Sequence, residues 1–208
     1  MTVEIKRLWR GGAALLTMTM LWGILPEAGT AQESPDAVVR ERNQLVKNAL
    51  DEAGDPVSDE IREELKDVIN GLIDFQELSR RALRRHWEAR TPEERTQFVE
   101  VFRALVRNSS VQKLEVYSVD STTYHAPETE GDQSRVVTVA HENGKQVEIV
   151  YLMHRVEAEW RAYDVVIDGS STLRTYQDSF QREIKSTSYE EMYDRLVERL
   201  EQDGGSPG

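Results

Sequence analysis

The side chains that could do chemistry here are few. His86, His125, His141 and His154 are the residues able to exchange protons near neutrality. None stands in H-E-x-x-H or at another metal-ligand spacing with carboxylates. Three of them fall in or beside a run of predicted strands, where a surface histidine is the simplest use of the residue. There is no cysteine, which removes a thiolate nucleophile, thiolate metal sites and disulfides. Gly169-Ser170-Ser171 begins like a nucleophile elbow, but G-x-S-x-G needs glycine where Leu173 stands. Asp164 and Asp168 share a strand face roughly 13 Å apart by strand rise, too far by their backbones for a glycosidase pair. They suit pairing with arginines or capping the turn at Gly169. No phosphate-cradling glycine loop and no dinucleotide fingerprint occurs. The sequence thus offers no catalytic constellation, no cofactor site and no metal site, and is expected not to be an enzyme.

One further polar feature is basic. Arg80-Arg81 and Arg84-Arg85 spread over the exposed surface of one predicted helix. Two uses fit them: a solvated face bridged to neighbouring carboxylates, or a docking patch for an acidic partner or lipid headgroups. The rest of the chain does not favour polyanions. Of 208 residues, 31% are charged, with a net charge of −12. The first 31 residues hold three basic and two acidic side chains, which leaves the remainder near −13. A nucleic-acid partner would demand a basic field instead.

Those first residues read as a secretory signal peptide cleaved near Ala31. Lys6, Arg7 and Arg10 form the basic region, Gly12 to Leu25 the apolar region, and Gly29-Thr30-Ala31 the small-residue end. The apolar stretch is about 14 residues, whereas a bilayer-spanning helix takes roughly 20. An exported soluble protein, beyond the inner membrane and without stable membrane insertion, is the expectation.

The elements that must position any site follow from periodicity. Residues 32–117 are mainly helical. Val38, Val39, Arg42, Leu45, Val46, Ala49 and Leu50 mark one face of a first helix. Ser58 opens a second, and Asp74 caps a third that carries Leu78, Ala82, Leu83 and Trp87. Thr91-Pro92-Glu93-Glu94 is a capping box, and Phe98, Val101, Phe102, Leu105 and Val106 follow at helical spacing. Val111 and Leu114 extend that stripe. Residues 118–168 change to a period of two. Four strands are predicted, at 118–124, 134–140, 145–155 and 159–168, with a hairpin turn at Asn143-Gly144. Residues 169–202 return to helices, the first striped by Leu173, Tyr176 and Phe180 and the last capped by Ser188. Residues 203–208 read as a disordered tail. The fold class is α+β: a four-stranded antiparallel meander packed with helices, within one domain over residues 32–202. Periodicity by itself does not separate a cavity from a filled core.

The stretch Trp160 to Phe180, W-R-A-Y-D-V-V-I-D-G-S-S-T-L-R-T-Y-Q-D-S-F, resembles the signature of the MlaC-like periplasmic phospholipid-binding proteins, also called the toluene-tolerance auxiliary family. Ala82-Leu83-Arg84-Arg85-His86-Trp87, followed by Thr91-Pro92-Glu93-Glu94 and Phe98 to Phe102, resembles that family's A-L-G-x-H-W-x-x-x-T-P-x-E-x-x-x-F-x-x-x-F. Ser188-Tyr189-Glu190-Glu191-Met192 is similar to the start of its terminal helix. Departures fall at Ser170, Thr172 and Leu173, where Ser170-Ser171-Thr172-Leu173 stands for the family form V-S-L-V, at Gln177, where arginine is usual, and at Ser110, where tyrosine is frequent.

The resemblance implies a soluble carrier of glycerophospholipid. It would exchange lipid between an outer-membrane lipoprotein–porin complex and an inner-membrane ABC transporter with an MCE-domain subunit, which maintains outer-membrane lipid asymmetry. A hopanoid carrier of the same family and a non-catalytic periplasmic adaptor with a filled core are the alternatives. By face and period, the expected tail pocket is the sheet face of Val137, Val139, Ile149, Tyr151, Tyr163, Val165 and Ile167. Phe102, Val106, Val111 and Leu114 would form one wall, and Leu173, Tyr176 and Phe180 the other.

Overall fold

The computed structural model describes residues 33–53, 58–110 and 119–203. They belong to one compact unit, Gln32–Gly208. Val111 and Leu114, the signal-peptide segment and most of the C-terminal tail lie outside the described residues.

The helices start where short polar side chains can satisfy free backbone N–H groups. Helix α1 spans Pro35–Ala53, α2 Asp59–Asn70, α3 Phe75–Leu83, α4 Arg85–Glu88 and α5 Pro92–Ser110. Ser58 caps α2, accepting from the Ile61 N–H at 3.3 Å, and Asp74 caps α3, accepting from the Glu77 N–H at 2.9 Å. Before α5 the capping box closes in both directions. The Glu94 N–H donates to Thr91 Oγ1 at 3.2 Å, and the Thr91 N–H donates to Glu94 Oε2 at 2.8 Å. Ser171 caps α6 (Thr172–Ser186), and Ser188 caps α7 (Tyr189–Gln202). One expectation needs correction here. The third helix does not run through to Trp87 but breaks at Arg84, whose φ is +53°.

The sheet is antiparallel, and among the described residues it has six strands rather than four. They are β1 (Ser121–Tyr124), β2 (Glu128–Glu130), β3 (Gln133–Glu142), β4 (Lys145–Val156), β5 (Glu159–Ile167) and β6 (Ser170–Ser171). β1, β3, β4 and β5 are the expected meander, and the two extra strands, β2 and β6, are short pieces at the edges. β1 and β2 both pair with β3, at Thr138–His141 and Gln133–Arg135 respectively. Pro127, which has no N–H for a ladder, lies in the gap between them. On the far edge β6 pairs with Val166 and Ile167. Leu72–Asp74 closes the rest of that edge: the Ala162 N–H donates to the Leu72 carbonyl at 2.9 Å, and the Asp74 N–H donates to the Ala162 carbonyl at 2.8 Å. Asn143 (φ +49°) and Gly144 (φ +77°) form the β3–β4 turn, both in the left-handed region that a two-residue hairpin of this hand demands.

Register decides which side chains share a face, because residues directly opposite one another point the same way. Val136 is opposite Tyr151, Thr138 opposite Ile149, and Ala140 opposite Val147. Tyr151 is in turn opposite Val165, and Ile149 opposite Ile167. These residues make one face, the inner face below. Between β4 and β5 the register shifts at Leu152/Met153, so that Leu152 meets Asp164 while Met153 meets Ala162. Tyr163 is the extra residue of a β-bulge. The expected alternation along β5 fails there: Trp160 and Ala162 join the inner face together with Val165 and Ile167.

Two larger cores result. The first is helical, with Phe75, Leu78, Phe98, Phe102, Phe180 and Met192 among its buried members from α3, α5, α6 and α7. The second joins Val39 of α1 and Leu72 to the inner face at Val136, Ala140, Ile149, Tyr151, Met153, Trp160 and Ala162. Asp164, only 4% exposed, ties sheet to helices. It accepts from the Ser171 hydroxyl at 2.6 Å and from the Leu173 N–H at 2.9 Å.

Candidate functional site: a cleft between the first helix and the sheet

A cavity of about 240 Å³ lies where α1 meets the inner face. Helix α1 contributes Asn43 and Val46, the first strand region Val119 and Tyr124, and the sheet Thr138, Ala140, Ile149 and Tyr151. The Thr138 hydroxyl, fully buried, donates to the Ile149 carbonyl at 3.3 Å, so no orphaned polar group remains on that part of the lining. The lining is mixed, since Gln44, Lys47, Asp120, Ser121 and Thr122 also border the cleft. One hydrogen-bonded group joins the helix to the sheet across it. The Tyr151 hydroxyl donates to Asn43 Oδ1, and Asn43 Nδ2 donates to the Tyr124 hydroxyl, both at 3.3 Å. These bonds are longer than the common 2.7–3.0 Å range. The Arg40 guanidinium covers the Tyr124 ring at 4.0 Å.

A cleft of this kind offers apolar surface beside a hydroxyl and an amide able to bond one polar group of a ligand. Among the described residues, no cluster of three or more histidines or carboxylates is placed to hold a metal. The histidines have local partners. His154 Nε2 lies 2.9 Å from Asp74 Oδ2, and His141 Nε2 lies 2.9 Å from Thr123 Oγ1. Burial and the neighbouring Arg85 hold His86 below the usual imidazole range.

A second, more open groove lies at β2, β3 and β4, where Glu128, Glu130, Arg135, Leu152 and Tyr163 line it. Its rim is charged. The Tyr163 ring meets His154 edge-on at 5.7 Å and carries the Arg81 guanidinium at 3.8 Å. Arg81 and Arg80 both bond Glu77, at 2.7 Å and 2.6 Å. The bonds from Arg80 and Arg81, working against burial, hold the Glu77 carboxyl down at about 2.

The residues expected to line one pocket are divided by this architecture. Ile149 and Tyr151 line the cleft, and Val165 and Ile167 pack beside them on the inner face. Val137 and Val139 alternate with the inner-face residues and point to the other side, opposite Val150 and Glu148. Tyr163, displaced by the bulge, points to the second groove. Phe102, Val106 and Phe180 are buried in the helical core, with Leu173 and Tyr176 packed against it. There the Phe102 ring lies 4.7 Å from Tyr176, 5.3 Å from Phe180 and 5.6 Å from Phe98. In this structure aromatic packing fills that interior, edge-on from Phe102 to Tyr176 and Phe180 and tilted to Phe98.

Sequence reasoning missed Asn43, Val46, Tyr124 and Ala140 as cleft residues. A signal existed for Asn43. It lies four residues after Val39 and three before Val46, so the buried stripe of α1 runs through a polar residue. Leu45, expected on that stripe, is 43% exposed.

Fold and cleft together define a class: a helix-flanked antiparallel sheet with a partly apolar cleft on one face. The chain belongs to the MlaC family, whose sequence profile matches residues 39–198. Its fold is shared by the solved structure of a phospholipid-binding protein from Ralstonia solanacearum, determined in complex with a phospholipid. That protein is 23% identical, with a TM-score of 0.70 over 84% of this chain and 98% of that one. No curated protein sequence matches this chain.

Proposed function

We propose that this protein is a carrier of glycerophospholipid, exported by its first 31 residues to the periplasm. It would pass lipid between an outer-membrane lipoprotein–porin complex and an inner-membrane ABC transporter with an MCE-domain subunit. Membership of the MlaC family is the observation that carries this reading. The phospholipid bound by the Ralstonia protein of the same fold supports it, as does the apolar part of the cleft at Val46, Ala140 and Ile149. Exposing an acyl chain to water costs about 0.8 kcal/mol per CH₂, hence on the order of 12 kcal/mol for ~16 carbons. A route across an aqueous gap therefore needs a dry container.

The cleft must widen to serve as one. At about 240 Å³ it falls below the roughly 300–1,000 Å³ of ordinary small-ligand pockets. Helix α1 is the wall able to yield. Toward the inner face it is held by Val38 and Val39, by the Arg40 guanidinium over the Tyr124 ring at 4.0 Å, and by the two 3.3 Å bonds of Asn43.

Native mass spectrometry of the protein purified from a Gram-negative periplasm, with analysis of the extracted lipid, tests the reading. Co-purified glycerophospholipid is the expected result. A chain that is reproducibly ligand-free, and takes up no lipid from vesicles, would be an adaptor instead. A hopanoid in the extract would reassign the cargo.

A further inference from the structure

The junction between α3 and α4 holds an arginine in a glycine conformation. Arg84 has φ +53° and ψ −125°. Asn143, Glu157 and Asp168 also have positive φ, but each lies in a hairpin turn. Arg84 instead joins two helices, and its ψ lies outside the left-handed helical region that non-glycine residues reach at modest cost. The family form quoted above has glycine at this position in A-L-G-x-H-W. The surroundings enforce the conformation. The Arg84 N–H donates to the Arg80 carbonyl and the Trp87 N–H to the Arg84 carbonyl, both at 3.1 Å. From α6, Gln177 Nε2 donates to the Arg81 carbonyl at 2.9 Å and Gln181 Nε2 to the Leu83 carbonyl at 3.2 Å.

The strain presents two cations to solvent. Arg80 and Arg81 share the Glu77 carboxylate, Arg90 is paired with Glu94 and Glu190, and Arg95 with Glu88. Arg84 and Arg85 are exposed and have no carboxylate within ion-pair distance among the described residues. The side-chain contact of Arg85 is with His86. In a chain of net charge −12 with 38 acidic residues, an adjacent pair of unpaired arginines is unexpected. Backbone strain around it implies a role outside the fold itself.

We propose that Arg84 and Arg85 form a contact for the phosphate headgroups of an anionic phospholipid membrane, by which the protein docks while it exchanges lipid. This rests on the carrier reading above. Guanidinium groups match phosphate oxygens in bidentate fashion. A membrane suits the patch better than a protein partner does, because a protein interface is built round a buried apolar centre. The exposed large apolar residues, Leu45 and Val156, lie on α1 and β4 and not beside the patch. The acidity of the remainder does not prevent contact, since at physiological salt charges beyond roughly 8–10 Å are largely screened. Two cations give a weak, reversible attachment, which a carrier that must depart requires.

Flotation of the full mature chain with vesicles tests this, using phosphatidylethanolamine alone and with phosphatidylglycerol added. Wild type should partition to the anionic vesicles and be released by salt. Arg84→Gly and Arg85→Gln should each lower that partitioning about fivefold, and Arg84→Lys should keep most of it. Arg84→Gly should also raise the melting temperature by several degrees, by relieving strain. Partitioning of Arg84→Gly equal to wild type overturns the proposal. So does a wild type that ignores anionic vesicles while binding an acidic protein through these arginines. Lipid content, measured by mass spectrometry on the same preparations, keeps the two readings apart. Lipid-loaded protein with unaltered variants refutes docking alone, whereas lipid-free protein whose binding still depends on Arg84 refutes the carrier alone.

Discussion

Asn43 on α1 accepts a hydrogen bond from the hydroxyl of Tyr151 on β4 at 3.3 Å, across the mouth of the cleft. Its amide nitrogen extends the link to Tyr124 at the same distance. One side chain thus stitches a helix to two strands over an apolar space, with bonds long enough to break easily.

Replacing Asn43 by alanine should cost about 0.5–1.5 kcal/mol of stability, the worth of ordinary hydrogen bonds. It should also raise the rate of lipid exchange with vesicles severalfold, because the wall of the cleft is freed. Urea midpoints and transfer of a fluorescent phospholipid measure the two effects. An unchanged transfer rate would show that α1 is not the moving wall.

Filling the cleft should abolish cargo. Ala140 is on the lining and buried, whereas its neighbour Val139 faces the other side. Ala140→Met is expected to fold yet load no lipid in native mass spectrometry, and Val139→Met to load as wild type. Equal loading by both would move the tails away from this cleft.

Truncating Phe102 tests the opposite assignment. It is fully buried among Phe98, Tyr176 and Phe180, so Phe102→Ala should cost about 3–5 kcal/mol. The residual folded protein, scored by chemical denaturation and then by native mass spectrometry, should still carry lipid. A selective loss of lipid at full stability would place Phe102 on the pocket wall after all.

Glu77 sets an acid limit. Its carboxyl lies at about 2 in the folded protein against 4.5 ordinarily, chiefly through its bond to Arg80. A folded value below the unfolded one means that the stabilisation is complete above about 4.5 and is lost as pH falls toward about 2. Glu77→Gln should cost about 1 kcal/mol at neutral pH after allowance for solvent screening. It should also flatten the decline of the urea midpoint between those two values. Parallel pH profiles for variant and wild type would rule this out.

The parts of the fold readable in advance were those determined locally. Thr91 and Glu94 spell out a helix start, Asn143-Gly144 a hairpin turn, and the change of period near residue 118 the passage from helices to sheet. The helical stripe of Phe98, Phe102 and Phe180 was equally plain, but period identifies a buried face and not what it is buried against. Hence a filled aromatic core was expected as a pocket wall. Val137 and Val139 were set on the wrong side of the sheet because two alternating apolar series run along β3, and only pairing with β4 selects between them. The break at Arg84 was hidden for a different reason: the glycine that would mark it is absent.

The bulge at Tyr163 gives β5 one residue more than its ladder with β4 uses. Because Trp160 and Ala162 lie on the same side as Val165 and Ile167, deleting Tyr163 would leave every other β5 side chain on its present face. What the extra residue adds is a buried ring that touches His154 on β4 and Arg81 on α3. A substitution that displaced Arg81 on α3 would therefore be felt in the middle strands of the sheet.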